Sequence, residues 1–115
     1  MKVRRGQLWW IDWSPSRGSE QAGTRPALVI QNDVGNEYSR TTIVAAVTTS
    51  VKGDYPFLVP VGARESGLAR DSAVNCAQLL TVDKARLREK CGQLDRTKMA
   101  AVDEALKISL GIEGS

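Results

Sequence analysis

The residues best equipped for chemistry stand together in one short segment, residues 18–26, just before the apolar run at 27–30. It contains glycines at 18 and 23, and its polar side chains are Ser19, Glu20, Gln21, Thr24 and Arg25. An arginine guanidinium can bind a phosphate through two parallel N–H bonds, and a glycine lets the backbone approach a ligand closely. Polar loops held on strands often carry binding or catalysis, although an ordinary hairpin loop has a similar composition. Both interpretations stay open on these residues alone.

Short β-rich runs surround this segment and would have to position it. They predict strands over residues 8–13, 27–30, 41–47, 55–61, 73–80 and 86–94. Turn signals separate them at Asn32-Asp33, Gly35-Asn36, residues 52–54 and Gly62. Several short strands at this spacing in a small chain are typical of an antiparallel, barrel-like sheet.

The last part of the chain predicts a helix. Asp95 is a suitable N-cap, and Gly111 stands where a C-cap belongs. The apolar stripe of this helix has helical spacing through Met99, Val102, Leu106 and Leu110, and we expect it to pack against the barrel. Upstream, Asp83 is placed to cap a short turn at Lys84-Ala85. The predicted fold is therefore mainly β with α (α+β), a barrel-like sheet closed by a C-terminal helix.

Size and composition fit a single domain over residues 1–115. The hydrophobic fraction of 42% can bury a small core, which oligomerisation would supplement. No apolar run approaches the length of a membrane span, and the first residues lack the long apolar region of a signal peptide. We therefore expect a cytoplasmic protein with no membrane partner.

The formal net charge is +3, and the cations are concentrated in two blocks. Residues 1–25 hold five cations and two anions, and residues 84–98 hold six cations and two anions. If folding brings the blocks together, they form a patch suited to phosphates. A solvated surface explains the same charges, so this alternative stays open.

The chain contains no histidine, which excludes His-dependent triads, His metal sites and His acid–base pairs. Its two cysteines, Cys76 and Cys91, are far apart and form no C-x-x-C motif. We expect both to be buried thiols, and we expect the site to need neither a metal nor another cofactor.

Ordered motifs run through nearly the whole chain. They begin with Arg5-Gly6-x-x-Trp9, G-S-E-Q-x-G-x-R-P at 18–26 and Val29-Ile30-x-Asn32-Asp33. They continue at residues 43–48, 67–68, 71–72, 78, 81–87 and 102–106. Together these motifs resemble the MazF/PemK toxins of bacterial toxin–antitoxin pairs. A lone G-S-E-Q would carry little weight, whereas this ordered set is specific.

The resemblance implies a small SH3-like β-barrel that works as a homodimer. It also implies a sequence-specific, metal-independent endoribonuclease toxin that cleaves single-stranded RNA, chiefly mRNA and also rRNA. A cognate antitoxin protein would bind across the dimer and block the RNA groove. By matching position, Arg25 and Thr48 would be the catalytic pair. The resemblance also places Ser19, Glu20 and Gln21 in the loop beside the scissile phosphate, and Gln78 on the strand that reads bases. The full set of residues predicted to bind RNA is Gly18, Ser19, Gln21, Asn32, Gln78 and Arg86.

Two positions depart from the family pattern. The residue before Gln78 is often acidic in relatives and is Ala77 here, and the position two after it is often basic and is Leu80 here. Both lie on the strand expected to read bases. The cleavage motif of a relative therefore does not transfer to this chain.

The chemistry can proceed with these residues because RNA supplies its own nucleophile, the 2′-hydroxyl. Arg25 would stabilise charge on the phosphoryl oxygens, and Thr48 would donate to one of them, although a strand-end threonine is often a packing residue. Glu20 is either the general base or a salt-bridge partner that holds Arg25. Ser19, Asn32 and Gln78 have the donors and acceptors to read unpaired bases.

Other interpretations remain. The tryptophans at 9, 10 and 13 could stack on bases or pack in the core or a dimer interface. The main alternative function is a non-catalytic SH3-like module that binds nucleic acid or a peptide. Duplex DNA binding by the basic blocks is weaker, because the pattern offers no recognition helix in a suitable place.

Overall fold

The computed structural model describes residues 2–13, 23–49 and 53–112. Within these ranges the strands are β1 (Gln7–Asp12), β2 (Thr24–Val29), β3 (Thr41–Thr48), β4 (Leu58–Val61), β5 (Ser72–Asp83) and β6 (Leu87–Gln93). The helices are α1 (Asp33–Tyr38), α2 (Ala63–Ser66) and α3 (Arg96–Leu110), with a 3₁₀ turn at Lys84–Arg86.

All six strands form one antiparallel sheet in the order β4-β5-β3-β2-β1-β6. No ladder joins β4 to β6 in the described ranges, so the sheet is curled rather than closed. The prediction of a mainly β, barrel-like fold with a C-terminal helix is confirmed.

Both faces of the central strands are buried. Leu8 and Leu28 belong to a core cluster that α3 covers with Val102 and Leu106. Their chain neighbours on the opposite face, Trp9 and Val29 among them, form a second cluster. Successive side chains of a strand point to opposite faces, so burial of both faces requires the sheet to wrap around part of its own surface.

The C-terminal helix forms as the sequence predicts. Asp95 accepts a hydrogen bond from the Lys98 N–H at 2.8 Å, and Gly111 takes the left-handed conformation with φ 70°. Val102 and Leu106 are buried, but Leu110 is 56% exposed. The packing prediction is wrong at this last position, because Leu110 lies beyond the part of α3 that contributes to the core clusters. No helix in the described ranges is long and apolar enough to cross a membrane.

The cysteines behave as core residues. Cys76 is fully buried, and Cys91 is partly buried against the same cluster. Burial raises the pKa of the Cys76 thiol to about 11. This thiol is therefore neutral at physiological pH and packs as a small apolar group.

The turn predicted at residues 32–36 is wrong, because this region forms the short helix α1. Asn32 caps the helix by accepting from the Gly35 N–H at 2.7 Å. The reason for the helix lies in a tertiary contact: Asn36 is 2% exposed, and its Oδ1 accepts from the buried Thr42 hydroxyl at 2.7 Å. Local turn propensity cannot report such a contact.

Arg5 connects this helix to α3. Its Nε donates to the Ile30 carbonyl at 2.7 Å, and its Nη2 donates to Asp103 Oδ1 at 2.7 Å. Its backbone N–H donates to Asp33 Oδ1 at 2.7 Å, which lowers the pKa of the Asp33 carboxyl. We define the Arg5 corner as the side chains of Arg5, Asp33, Asn36, Thr42 and Asp103.

Strand ends differ from the prediction in ways that matter for the site. β2 starts at Thr24, three residues earlier than expected, because pairing with β1 continues to Thr24 opposite Asp12. Arg25 is therefore held on a strand rather than in a loop. β4 is shorter than predicted, because a turn closed by the Leu58 N–H and the Tyr55 carbonyl at 3.0 Å precedes the strand.

Candidate active site

A groove of about 890 Å³ opens along one end of β2, β3 and β5. Its polar lining residues are Arg25, Thr48, Thr49, Arg70, Ser72 and Gln78. Its apolar lining includes Trp10, Trp13, Pro26, Leu68 and Leu80. The structure thus brings together Arg25, Thr48 and Gln78, three side chains that the sequence analysis selected from distant parts of the chain.

The register of the sheet explains why Arg25 and Thr48 meet. β2 pairs with β3 through Ala27 opposite Ala46 and Val29 opposite Val44. The ladder ends at Ala27 and Ala46, and its register, continued by two residues, would set Arg25 opposite Thr48. Directly opposed residues of antiparallel strands have Cβ atoms roughly 5 Å apart. Both side chains therefore line the same groove at the end of the sheet.

Arg25 is exposed, and its guanidinium has no hydrogen bond or ion pair with any described residue. Thr48 is half-buried at the end of β3. An arginine beside a strand-end hydroxyl provides a permanent cation and a neutral donor that can act on the same anion.

Gln78 reaches the groove from a bulge in β5. Asn75 pairs with Ala46 of β3, but the next residue back on β3, Ala45, pairs with Leu79. Residues 76–78 therefore have no partner on β3 and leave the regular ladder. Bulges next to functional sites change the direction of a side chain, and here the exposed Gln78 lines the groove.

Two of the predicted RNA-binding residues lie elsewhere. Asn32 is an exposed helix cap, and Arg86 donates from Nη1 to the Asp12 carbonyl at 3.1 Å. Neither residue lines the groove. Gly18, Ser19, Glu20 and Gln21 lie outside the described residues, so their roles stay predictions.

The predicted basic patch is largely engaged in the fold. The two blocks meet, since β1 pairs with β6. However, Arg5 pairs with Asp103 at 2.7 Å, and Arg88 pairs with Asp12 at 2.8 Å. No member of the second block lines the groove in the described ranges.

Arg70 is the groove residue that sequence reasoning missed. It is exposed and has no ion pair with a described residue, and it lies three residues after Gly67, the C-cap of α2. Gly67 has φ +79°, and a Cβ there would stand 1.7 Å from the Cys91 carbonyl oxygen. In the sequence, the signal for Arg70 was its place between the motifs at 67–68 and 71–72. In the structure, Arg70 lies on the Thr48 side of the groove because Thr48 pairs with Ala73, near the start of β5.

The described lining is cationic and partly aromatic. Arg25 and Arg70 are its charged residues, and no carboxylate lines the groove within the described ranges. Trp10, Trp13 and Leu80 supply an apolar wall, and the buried Trp13 indole N–H has no partner among the described residues. No group of three Cys, Asp or Glu side chains in those ranges could hold a metal ion. The arrangement suits a polyanion that also carries flat rings.

Comparison with known proteins matches residues 4–110 to a family model described as PemK-like, MazF-like toxin of type II toxin–antitoxin system. The chain is 49% identical over 113 residues to endoribonuclease EndoA of Bacillus subtilis (strain 168), covering 97% of each chain. It is 47% identical over 111 residues to endoribonuclease MazF of Staphylococcus epidermidis, covering 96% of this chain and 92% of that protein.

The fold has similar solved structures. A crystal structure of MazE–MazF (Form II) from Deinococcus radiodurans superposes with a TM-score of 0.82 at 29% identity, covering 98% of this chain and 99% of the other. A mycobacterial endoribonuclease in complex with its cognate antitoxin has a TM-score of 0.83 at 23% identity and covers 98% and 99%.

Proposed function

The chain belongs to the PemK-like, MazF-like toxins of type II toxin–antitoxin systems and is a MazF-type endoribonuclease, and from this premise we propose how it acts. It cleaves single-stranded RNA, chiefly mRNA, at short sequence motifs and without a metal ion. The observation that supports this proposal is the meeting of Arg25 and Thr48 in a groove whose described lining has no acidic residue.

The reaction needs little from the protein besides placement and charge. The RNA 2′-hydroxyl loses its proton as its oxygen attacks the adjacent phosphorus. The bond to the 5′-oxygen breaks, that oxygen takes up a proton, and the products are a 2′,3′-cyclic phosphate end and a free 5′-hydroxyl end. Arg25 offers two parallel N–H donors to the phosphoryl oxygens as their charge grows, and Thr48 offers a third donor. Fixed donors in a preorganised site stabilise the transition state more than the ground state.

The remaining groove residues fit the rest of an RNA strand. Arg70 contributes a second cation for a neighbouring backbone phosphate, since the described chain leaves its guanidinium without an ion pair. Gln78 reads a base edge, and Trp10 and Trp13 provide stacking surface. Glu20 acts either as the base that accepts the 2′-hydroxyl proton or as a partner of Arg25.

Protein partners follow from the relatives. MazF of Deinococcus radiodurans was solved together with MazE, and a mycobacterial endoribonuclease with its cognate antitoxin. We expect this chain to form a homodimer in the cytoplasm and to bind a cognate antitoxin. The exposed Ile108, Leu110 and Ile112 at the end of α3 are available for such contacts.

The test is digestion of a long single-stranded RNA in excess EDTA, with mapping of every cut end. We expect cuts at a short motif, 2′,3′-cyclic phosphate ends, and loss of cutting in Arg25→Ala but not in Arg64→Ala, an exposed arginine outside the groove. Saturable binding without cleavage would support the non-catalytic module instead. Preference for duplex DNA in the same assay would contradict the proposed function and support DNA binding by the basic blocks.

A further inference from the structure

The bulge that carries Gln78 is held by a side chain outside the groove lining. The Oδ1 atom of Asn75 accepts a hydrogen bond from the Ala77 backbone N–H at 2.9 Å. This contact closes a local turn of the type that Asn forms with the residue two positions ahead. Asn75 does not itself line the groove.

The backbone of Asn75 is held in place because it pairs with a strand on each side. It pairs with Leu58 of β4 on one side and with Ala46 of β3 on the other. The following residue is also anchored, since Cys76 is fully buried and its N–H donates to the Phe57 carbonyl at 2.9 Å. The bulge therefore leaves the sheet from a fixed point.

Beyond Cys76 the restraint changes. Ala77 and Gln78 are exposed, and neither pairs with β3. For the Ala77 N–H, the hydrogen bond to Asn75 replaces the ladder bond that a regular strand would make. The direction in which Gln78 leaves the backbone depends on this turn.

We infer that Asn75 is a positioning residue that sets the base preference of the enzyme through Gln78. The inference rests on the proposed RNA cleavage and deepens it. Without the Oδ1 acceptor, the Ala77 N–H bonds to water and the backbone at 77–78 samples more conformations. Gln78 then presents its amide in several directions, so discrimination between bases weakens while Arg25 and Thr48 keep their geometry.

The experiment compares cleavage of a preferred RNA with a set of RNAs that differ from it by one base. For Asn75→Ala we expect the ratio of kcat/KM values, preferred over substituted, to fall about 3- to 10-fold, the range of one hydrogen bond. The kcat on the preferred RNA should stay within about 3-fold of the parent by the same reasoning. Asn75→Asp keeps the acceptor and should restore the preference.

Two controls separate positioning from general damage. Thr81→Ala alters an exposed residue of the same strand outside the groove and should leave the preference unchanged. In a Gln78→Ala background, Asn75→Ala should have no further effect on the preference, because its influence passes through Gln78.

The inference would be overturned if Asn75→Ala kept the parent's base preference. It would also be overturned if Asn75→Ala reduced the preference in the Gln78→Ala background as much as it does in the parent. Either result would leave RNA cleavage itself established. If Asn75→Ala does not fold, failure of Asn75→Asp to keep the parent's preference would overturn it as well. A parent enzyme that cuts no RNA would instead overturn the proposed function.

Discussion

Two arginines of this chain occupy opposite situations, and the contrast separates structure from function. Arg5 donates to the Ile30 carbonyl and to Asp103, and its guanidinium ties the start of the chain to α3. Arg25 has no such partner among the described residues and faces a groove. The same chemical group stabilises the fold in one place, and in the other it lines a groove where, under the proposed function, it would bind RNA.

The contrast extends to the neighbours of each arginine. In the Arg5 corner, buried polar groups satisfy one another, as in the 2.7 Å bond between Thr42 and Asn36. In the groove, the exposed side chains of Arg25, Arg70 and Gln78 make no hydrogen bond or ion pair with a described residue. Unpaired polar groups on a well-packed frame indicate where a substrate will complete the pairing.

The largest expected effect comes from the groove arginine. Arg25→Ala should lower the rate of RNA cleavage by about 10²- to 10³-fold, the usual result of removing a transition-state donor. Its melting temperature should match the parent's, since no described contact is lost. Single-turnover cleavage and thermal unfolding measure the two quantities. A large drop in stability with intact cleavage would reverse the roles assigned to the two regions.

Thr48→Val tests the second donor at nearly constant volume. We expect a loss of about 10²-fold in kcat with little change in RNA affinity, because the hydroxyl acts as charge develops. Thr49→Val, a neighbour that also lines the groove, is the control. Equal effects of the two variants would remove the special role of Thr48.

Thr42→Val addresses the Arg5 corner instead. It removes one of two donors to the buried Asn36 Oδ1, which keeps the bond from Gln31 Nε2 at 3.1 Å, so we expect the free energy of unfolding to fall by about 0.5–1.5 kcal/mol. Cleavage by the folded fraction should be unchanged. Urea unfolding monitored by circular dichroism gives the first value, and an assay well below the melting temperature gives the second.

Much of this arrangement could be predicted from the sequence. Asp95 and the stripe to Leu106 carry their helix signal locally, and Arg25 and Thr48 were identified by family motifs. Asn36 and Arg70 could not be found in this way. The helix at Asn36 depends on a buried contact with Thr42, and the role of Arg70 depends on the register between β3 and β5. Both are tertiary facts with no local pattern.

A smaller effect is expected at Arg70. Arg70→Gln should weaken the binding of an RNA with a 2′-deoxy scissile position by about 3- to 10-fold at low salt. The slope of log affinity against log salt should become shallower by roughly 0.7, the contribution of one single-strand phosphate contact. Arg64→Gln is the matched control on α2. An identical slope in both variants would exclude a phosphate contact at Arg70.

The smallest effect concerns pH and the Arg5 corner. The pKa of Asp33 is lowered by the Arg5 N–H, so the ionised carboxyl stabilises the fold at neutral pH. That contribution is lost as the pH falls through the lowered pKa, below the ordinary value of 3.8. Asp33→Asn keeps an acceptor but cannot titrate. Its stability should fall less steeply than the parent's between pH 5 and about pH 2.

The bulge at residues 76–78 has a consequence for evolution. Its exposed members, Ala77 and Gln78, contribute neither to pairing with β3 nor to the buried core. Substitutions at these two positions should therefore cost the fold little. Under the proposed function, the base preference can change there while the sheet and the positions of Arg25 and Thr48 stay the same.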